Sequence, residues 1–145
     1  MVKALLLLTM FAFPGNIIWA ERPRFSDQQI IAMTSHYFKR SRGAPEFLAV
    51  NIYRHPQRGK VLQVDVRAGR NQVNEALSYS FTTLLNLLRY FKRPPELIVV
   101  VMHSDSHGIP PTIYTGEIKC AANYFIYRRI PYKEWYNKCV TREGP

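Results

Sequence analysis

The chain has 145 residues and is strongly basic, with 20 Lys and Arg against 10 Asp and Glu and a net charge of +10 at pH 7. Hydrophobic residues make up 47% of the sequence, which excludes an intrinsically disordered protein and is enough to build the core of one domain. The positive charge favours anionic partners such as nucleic acid, acidic lipid headgroups, anionic cell-wall polymers or acidic proteins, and a contribution to solubility alone is the alternative.

Residues 1–20 have the pattern of a secretory signal peptide. A cationic start containing Lys3 precedes an apolar run over residues 4–13, and the small residue Ala20 stands before the first acidic residue of the chain. The run is shorter than the roughly 20 apolar residues of an ordinary membrane span, although an uncleaved N-terminal anchor is an alternative. We therefore expect a single domain over residues 21–145, located in the periplasm or outside the cell, with no transmembrane span after cleavage.

The first half of this domain contains a helix followed by two strands. Ser26 and Gln29 form the pattern of a capping box, which predicts a helix over residues 27–40. Apolar and polar residues alternate over residues 47–54 and 61–68, which is typical of strands with one buried face. The connection between them contains Pro and Gly and predicts a hairpin loop.

The second half continues with a long helix and further strands. A continuous apolar stripe predicts a helix over residues 71–92, and the apolar run at residues 96–103 predicts a central strand. We also predict strands at 112–118 and 123–130, and then a short helix at 131–139 and a loose tail. The fold class is therefore α+β, with the order α-β-β-α-β-β-(β)-α, an antiparallel sheet of four to five strands, and two main helices on one face.

A short sequence recurs in the two halves. The segment Tyr-Phe-Lys-Arg occupies residues 37–40 and again residues 90–93, and each copy is followed by Pro-Glu and a predicted strand. The repetition suggests an internal duplication of an α-β-β unit. The alternative is convergence, because aromatic and then cationic residues are common at the end of an amphipathic helix.

The two cysteines, Cys120 and Cys139, are predicted to form a disulfide bond, because exported proteins fold in an oxidising compartment. The bond would close a loop of about 20 residues, which corresponds to roughly 3 kcal/mol of stabilisation. Two buried free thiols are the alternative. A disulfide would remove the only thiols that could act as nucleophiles.

The segment His103-Ser104-Asp105-Ser106-His107 is the strongest candidate for catalytic chemistry. His103, Asp105 and His107 could bind a transition metal and leave a position open for water. Their spacing matches no standard metal motif, and a polar turn is the favoured interpretation. The chain has no phosphate-binding loop, dinucleotide fingerprint or serine-nucleophile motif, so no cofactor is predicted.

Basic residues cluster at the ends of the predicted elements, beside aromatic ones. If the ends of the two hairpins lie together, they form an anion-binding rim in which arginine pairs with phosphate or carboxylate and aromatic rings stack. A charged solvent-exposed edge is the alternative. The candidate anion-binding residues are Arg54, Arg58, Lys60, Arg128, Arg129 and Lys133, and the neighbouring aromatic residues are Tyr53, Tyr127, Tyr132 and Trp135.

Three functions follow as hypotheses. The first is an exported, non-enzymatic binding module that presents a basic, tyrosine-rich surface to an anionic surface, polymer or envelope protein. The second is a small secreted metal-dependent hydrolase or nuclease that uses His103, Asp105 and His107. The third is an inhibitor or immunity-type protein. No motif for sequence-specific recognition of nucleic acids is present.

Overall fold

The computed structural model describes residues 23–145, which form an α+β fold as predicted. The predicted signal peptide, residues 1–20, lies outside the described residues. The elements are α1 (Asp27–Arg40), β1 (Glu46–His55), β2 (Gly59–Ala68), α2 (Val73–Leu87), β3 (Leu97–Ser104), β4 (Thr112–Glu117), α3 (Ile118–Phe125), α4 (Tyr132–Cys139) and β5 (Val140–Glu143). Short 3₁₀ turns flank α2 at Arg70–Gln72 and Leu88–Tyr90, so the predicted long helix consists of three consecutive segments.

The first helix begins where its sequence predicts. The Gln29 N–H donates to the Ser26 hydroxyl at 3.3 Å, and the Ser26 N–H donates to Gln29 Oε1 at 2.9 Å, which completes the capping box. Ile30, Thr34 and Phe38 are buried at helical spacing. They place one face of α1 against the core.

The five strands lie in the order β1-β2-β3-β4-β5, and the sheet is mixed. The prediction of an antiparallel sheet is wrong at one pair, because β2 and β3 are parallel and Val61 lies beside Leu97. The other neighbouring pairs are antiparallel. The reason is that α2 carries the chain back along the sheet, so that β3 starts at the same end as β2 in a βαβ crossover.

The four helices of residues 23–145 all pack on one face of this sheet. Their buried residues join those of the central strands in one core, with Ile30 from α1, Phe81 from α2, Ala121 from α3 and Trp135 from α4. The opposite face carries a smaller apolar cluster of Val61, Leu97, Val99 and Val101. Among residues 23–145, no helix has the length and apolar character needed to cross a bilayer.

The C-terminal third differs from the prediction in two places. The predicted strand at residues 123–130 is wrong, because residues 123–125 end α3 and residues 126–131 link it to α4. Ala121 and Ala122 are buried, and the helical period of the apolar residues prevails over the strand preference of the aromatic ones. The predicted loose tail is also wrong, since residues 140–143 form β5 beside β4.

The topology does not support an internal duplication. The two units, α1-β1-β2 and α2-β3-β4, have their helices on the same face of the sheet and follow one another across it in the same order, but β3 runs opposite to β1 because β2 and β3 are parallel. To superpose the units, β1 would have to be turned end over end within the plane of the sheet. That rotation would place β2 on the wrong side of β3, so the units do not superpose. Moreover, Tyr37 lies within α1, whereas Tyr90 ends the 3₁₀ turn that follows α2.

Candidate binding surface

Helices α3 and α4 form a hairpin that is closed by the predicted disulfide. The Cα atoms of Cys120 and Cys139 lie 5.5 Å apart, and the bond joins the first turn of α3 to the end of α4. The prediction of this disulfide is therefore confirmed. Because the bond fixes one end of the hairpin, the connection at residues 126–131 projects from the other end.

An aromatic cluster in the core packs against the hairpin of α3 and α4. The Trp135 side chain is fully buried, with its ring centroid 4.7 Å from that of Phe125 and 5.0 Å from that of Phe81, both nearly perpendicular. Such edge-to-face pairs contribute about 0.5–1.5 kcal/mol each beyond their buried area. The Trp135 indole N–H has no hydrogen-bond acceptor among the described residues and lies among these rings. The positions of α3 and α4 are therefore fixed by aromatic packing as well as by the disulfide.

A tyrosine at the start of α4 ties the hairpin to the rest of the fold. The Tyr132 hydroxyl donates to Asn74 Oδ1 at 3.3 Å, and Asn74 lies in the first turn of α2. Burial raises the pKa of Tyr132 above the ordinary tyrosine value, with the neighbouring Tyr136 as the second cause. The Tyr132 hydroxyl therefore stays protonated at neutral pH and can donate its hydrogen bond to Asn74.

The four residues that follow α3, namely Ile126, Tyr127, Arg128 and Arg129, form what we call the α3–α4 tip. The Ile126 and Tyr127 side chains are 51% and 58% exposed, and they are the only sequence neighbours among the exposed large hydrophobic residues of the described chain. The Arg129 guanidinium lies 4.7 Å from the Tyr127 ring centroid, and that of Arg128 lies 5.7 Å from Tyr124. The tip therefore presents apolar, aromatic and cationic groups side by side.

The backbone of the tip is unusual at Arg128. Its φ angle is +53°, and it is the only residue other than glycine with a positive φ in the described chain. This conformation lets the chain turn back after α3, so that the Arg129 N–H donates to the Asn123 carbonyl at 2.7 Å. Glycine or asparagine usually occupies such a position at the end of a helix. The tip therefore has an arginine where the backbone alone favours glycine.

The structure divides the six predicted anion-binding residues between the two ends of the sheet. Arg128 and Arg129 lie in the tip, and the exposed Lys133 follows in the first turn of α4. Arg54 and Arg58 are exposed at the β1–β2 hairpin, which lies at the end where β3 begins. The tip lies at the other end of the sheet. Tyr132, at the start of α4, bonds to Asn74 at the start of α2, and α2 begins just after β2 ends. The two hairpin ends therefore do not form one rim.

Lys60, the sixth candidate, takes part in the fold. Its side chain is only 11% exposed and its Nζ atom donates to Asp27 Oδ1 at 2.7 Å and to the Arg93 carbonyl at 2.9 Å. The same ammonium lies 5.1 Å from the Phe91 ring centroid. The Lys60 ammonium is therefore paired within the protein and connects α1 to the segment that follows α2, so it is not available to an external anion.

The structure separates the three candidate metal ligands. His103 Nε2 lies 3.2 Å from Asp65 Oδ2, on the sheet face opposite the helices, whereas the Asp105 carboxylate lies against Gly69. His107 is exposed in the loop after β3. Within residues 23–145, no three His, Cys, Asp or Glu side chains are close enough to hold a metal ion together.

Asp65 is the partner that the sequence interpretation missed. It belongs to a chain of hydrogen bonds along the sheet, in which Gln63 Nε2 donates to Asp65 Oδ1 at 2.8 Å and the Tyr53 hydroxyl donates to Gln63 Oε1 at 3.1 Å. The alternation of β2 places Gln63 and Asp65 on the same face. The parallel register that brings His103 beside this face was not predicted, so the sequence contained no signal for the contact.

A cleft of about 390 Å³ lies where β2 ends and α2 begins. Its charged lining consists of three carboxylates, Glu46, Glu75 and Asp105, against the single cation Arg67, which donates to Glu46 Oε1 at 2.9 Å. The charge of this lining is therefore mainly negative, and within residues 23–145 no three His, Cys, Asp or Glu side chains are close enough to hold a metal ion there.

Comparisons of the chain with protein-family models, with curated proteins and with solved structures found no significant match.

Proposed function

We propose that the protein is an exported, non-enzymatic binding module that engages an anionic partner through the α3–α4 tip. Export is an expectation from the signal-peptide pattern of residues 1–20. The partner's negative charge is an expectation from the basic composition and from the arginines of the tip.

One observation carries the proposal, namely the joint exposure of Ile126 and Tyr127 beside two arginines on a disulfide-closed hairpin. Large apolar side chains that remain exposed to water do not stabilise the fold, whereas their burial against a partner makes the free energy of binding more favourable. Arginine forms bidentate hydrogen bonds with phosphate and carboxylate groups. A rigid support reduces the entropy lost on binding, and both the disulfide and the aromatic cluster supply one.

The chain offers a charge-matched experiment. Arg128→Gln with Arg129→Gln removes two positive charges from the tip, and Arg54→Gln with Arg58→Gln removes two from the opposite end of the sheet. We expect the tip variant to elute from immobilised heparin at a clearly lower salt concentration than either the wild type or the control variant. Screening by salt should release the wild type progressively, because the contacts are electrostatic.

Two results would contradict the proposal. If both double variants shift equally, net charge alone explains retention and the tip is not a site. If the wild type is not retained at low salt, the module has no general affinity for anions. Far-UV circular dichroism of each variant controls for folding.

A further inference from the structure

We infer that the partner of the α3–α4 tip is the surface of an anionic lipid bilayer. Ile126 and Tyr127 enter the interfacial layer, and Arg128, Arg129 and Lys133 contact the lipid phosphates. The inference rests on the proposed function and specifies the chemistry of its partner.

The size of the tip favours a bilayer over a folded protein. A stable protein interface buries about 800 Å² on each partner and involves about 20–30 residues a side. The tip offers four consecutive exposed residues at the end of a helical hairpin. A bilayer needs no complementary shape, so a few projecting side chains are sufficient for reversible attachment.

The residue types suit the boundary between lipid and water. Tyrosine is enriched at this boundary because its ring is apolar and its hydroxyl is polar. Arginine can keep its guanidinium at the level of the phosphates while its methylene groups cover apolar surface. The Arg129 guanidinium already lies over the Tyr127 ring, 4.7 Å from its centroid, so the two groups reach the surface as one unit.

The charge of the tip and of the first turn of α4 is complementary to an acidic membrane, and the three carboxylates of the cleft at the same end of the sheet lie on the side of β1. Three cations, Arg128, Arg129 and Lys133, are exposed within six residues of the chain. The nearest acidic residue along the chain, Glu134, accepts a hydrogen bond from Lys138 at 3.0 Å, so its charge is already paired. Each cation near an anionic surface strengthens binding by about fivefold, so the trio amounts to roughly a hundredfold.

The test is co-sedimentation of the purified, oxidised protein with vesicles of equal parts phosphatidylglycerol and phosphatidylcholine, and with vesicles of phosphatidylcholine alone. We expect binding to the acidic vesicles and little to the neutral ones. Ile126→Ser with Tyr127→Ser should reduce binding to the acidic vesicles by about tenfold or more, because both inserted side chains are lost.

A control is Tyr37→Ser, which removes an exposed aromatic ring from α1, the helix that packs against β1 at the edge of the sheet farthest from β5. This variant should bind as the wild type does. A Tyr127→Trp variant should show a blue shift of its emission with the acidic vesicles, as expected for a ring that leaves water.

The outcomes separate this inference from the proposed function. Retention on heparin without binding to acidic vesicles overturns the membrane inference and leaves anion binding intact. Full vesicle binding by the Ile126→Ser, Tyr127→Ser variant also overturns it, because attachment is then purely electrostatic. A protein that binds neither heparin nor vesicles contradicts the proposed function itself.

Discussion

Arg128 connects the stability of the fold to the chemistry of the tip. Its positive φ costs an L-residue about 1–2 kcal/mol, which glycine does not incur. Its guanidinium remains exposed, near the Tyr124 ring. Binding through the tip, as proposed, would account for an arginine at this position, because the backbone conformation gains nothing from it.

The substitution Arg128→Gly should leave the stability of the fold unchanged or increase it, and should weaken binding. The free energy of unfolding should stay unchanged or rise by up to about 1 kcal/mol, since relief of strain exceeds the entropic cost of glycine. Retention on heparin should fall, because one tip charge is lost. Denaturant unfolding and salt elution measure the two effects.

Arg129→Gly is the matched control, because it removes the same charge at a residue without a positive φ. It should lower both stability and retention. A stability loss of more than about 1 kcal/mol in Arg128→Gly would show that the arginine has a structural role instead.

At the scale of elements, the N-terminal half follows its sequence more closely than the C-terminal half. Helix α1 and the hairpin of β1 and β2 obey clear periods of burial, so their positions could be predicted. Strand β5 is short, charged and largely exposed, and its pairing with β4 depends on backbone hydrogen bonds that leave no pattern in the side chains. The predicted strand at residues 123–130 covered only the last three residues of α3, where aromatic side chains favour a strand, and the two buried alanines that mark the helix come just before them.

The disulfide is expected to stabilise the hairpin of α3 and α4. Cys120→Ala with Cys139→Ala should lower the free energy of unfolding by about 3 kcal/mol, because the bond closes a loop of about 20 residues. Trp135 is the only tryptophan beyond residue 20 and lies in the core, so its emission reports the transition. Retention on heparin should weaken as well, since the tip loses one of its two supports.

Reduction of the wild type with a thiol reagent provides the control and should lower the free energy of unfolding by a similar amount. A change below about 1 kcal/mol in both experiments would indicate that the aromatic cluster alone holds the hairpin.

At the scale of the whole molecule, the location of the candidate site depended on the direction of β3, which the sequence did not predict. The residue types of the site, basic and aromatic, were identified from their clusters, including Arg128 and Arg129. The expected rim required the hairpin ends to coincide, and the parallel pairing of β2 and β3 places the β1–β2 hairpin and the α3–α4 tip at opposite ends. Strand direction follows from how α2 crosses the sheet, and side-chain periodicity does not encode it.

The most direct test of the central claim is amide hydrogen exchange of the protein with and without soluble heparin. Protection on binding reports which backbone segments the partner covers or rigidifies. We predict that added protection is confined to residues 126–133, with residues 54–60 unchanged. Protection at residues 54–60 with none at the tip would contradict the account, because it would place the anion at the opposite end of the sheet.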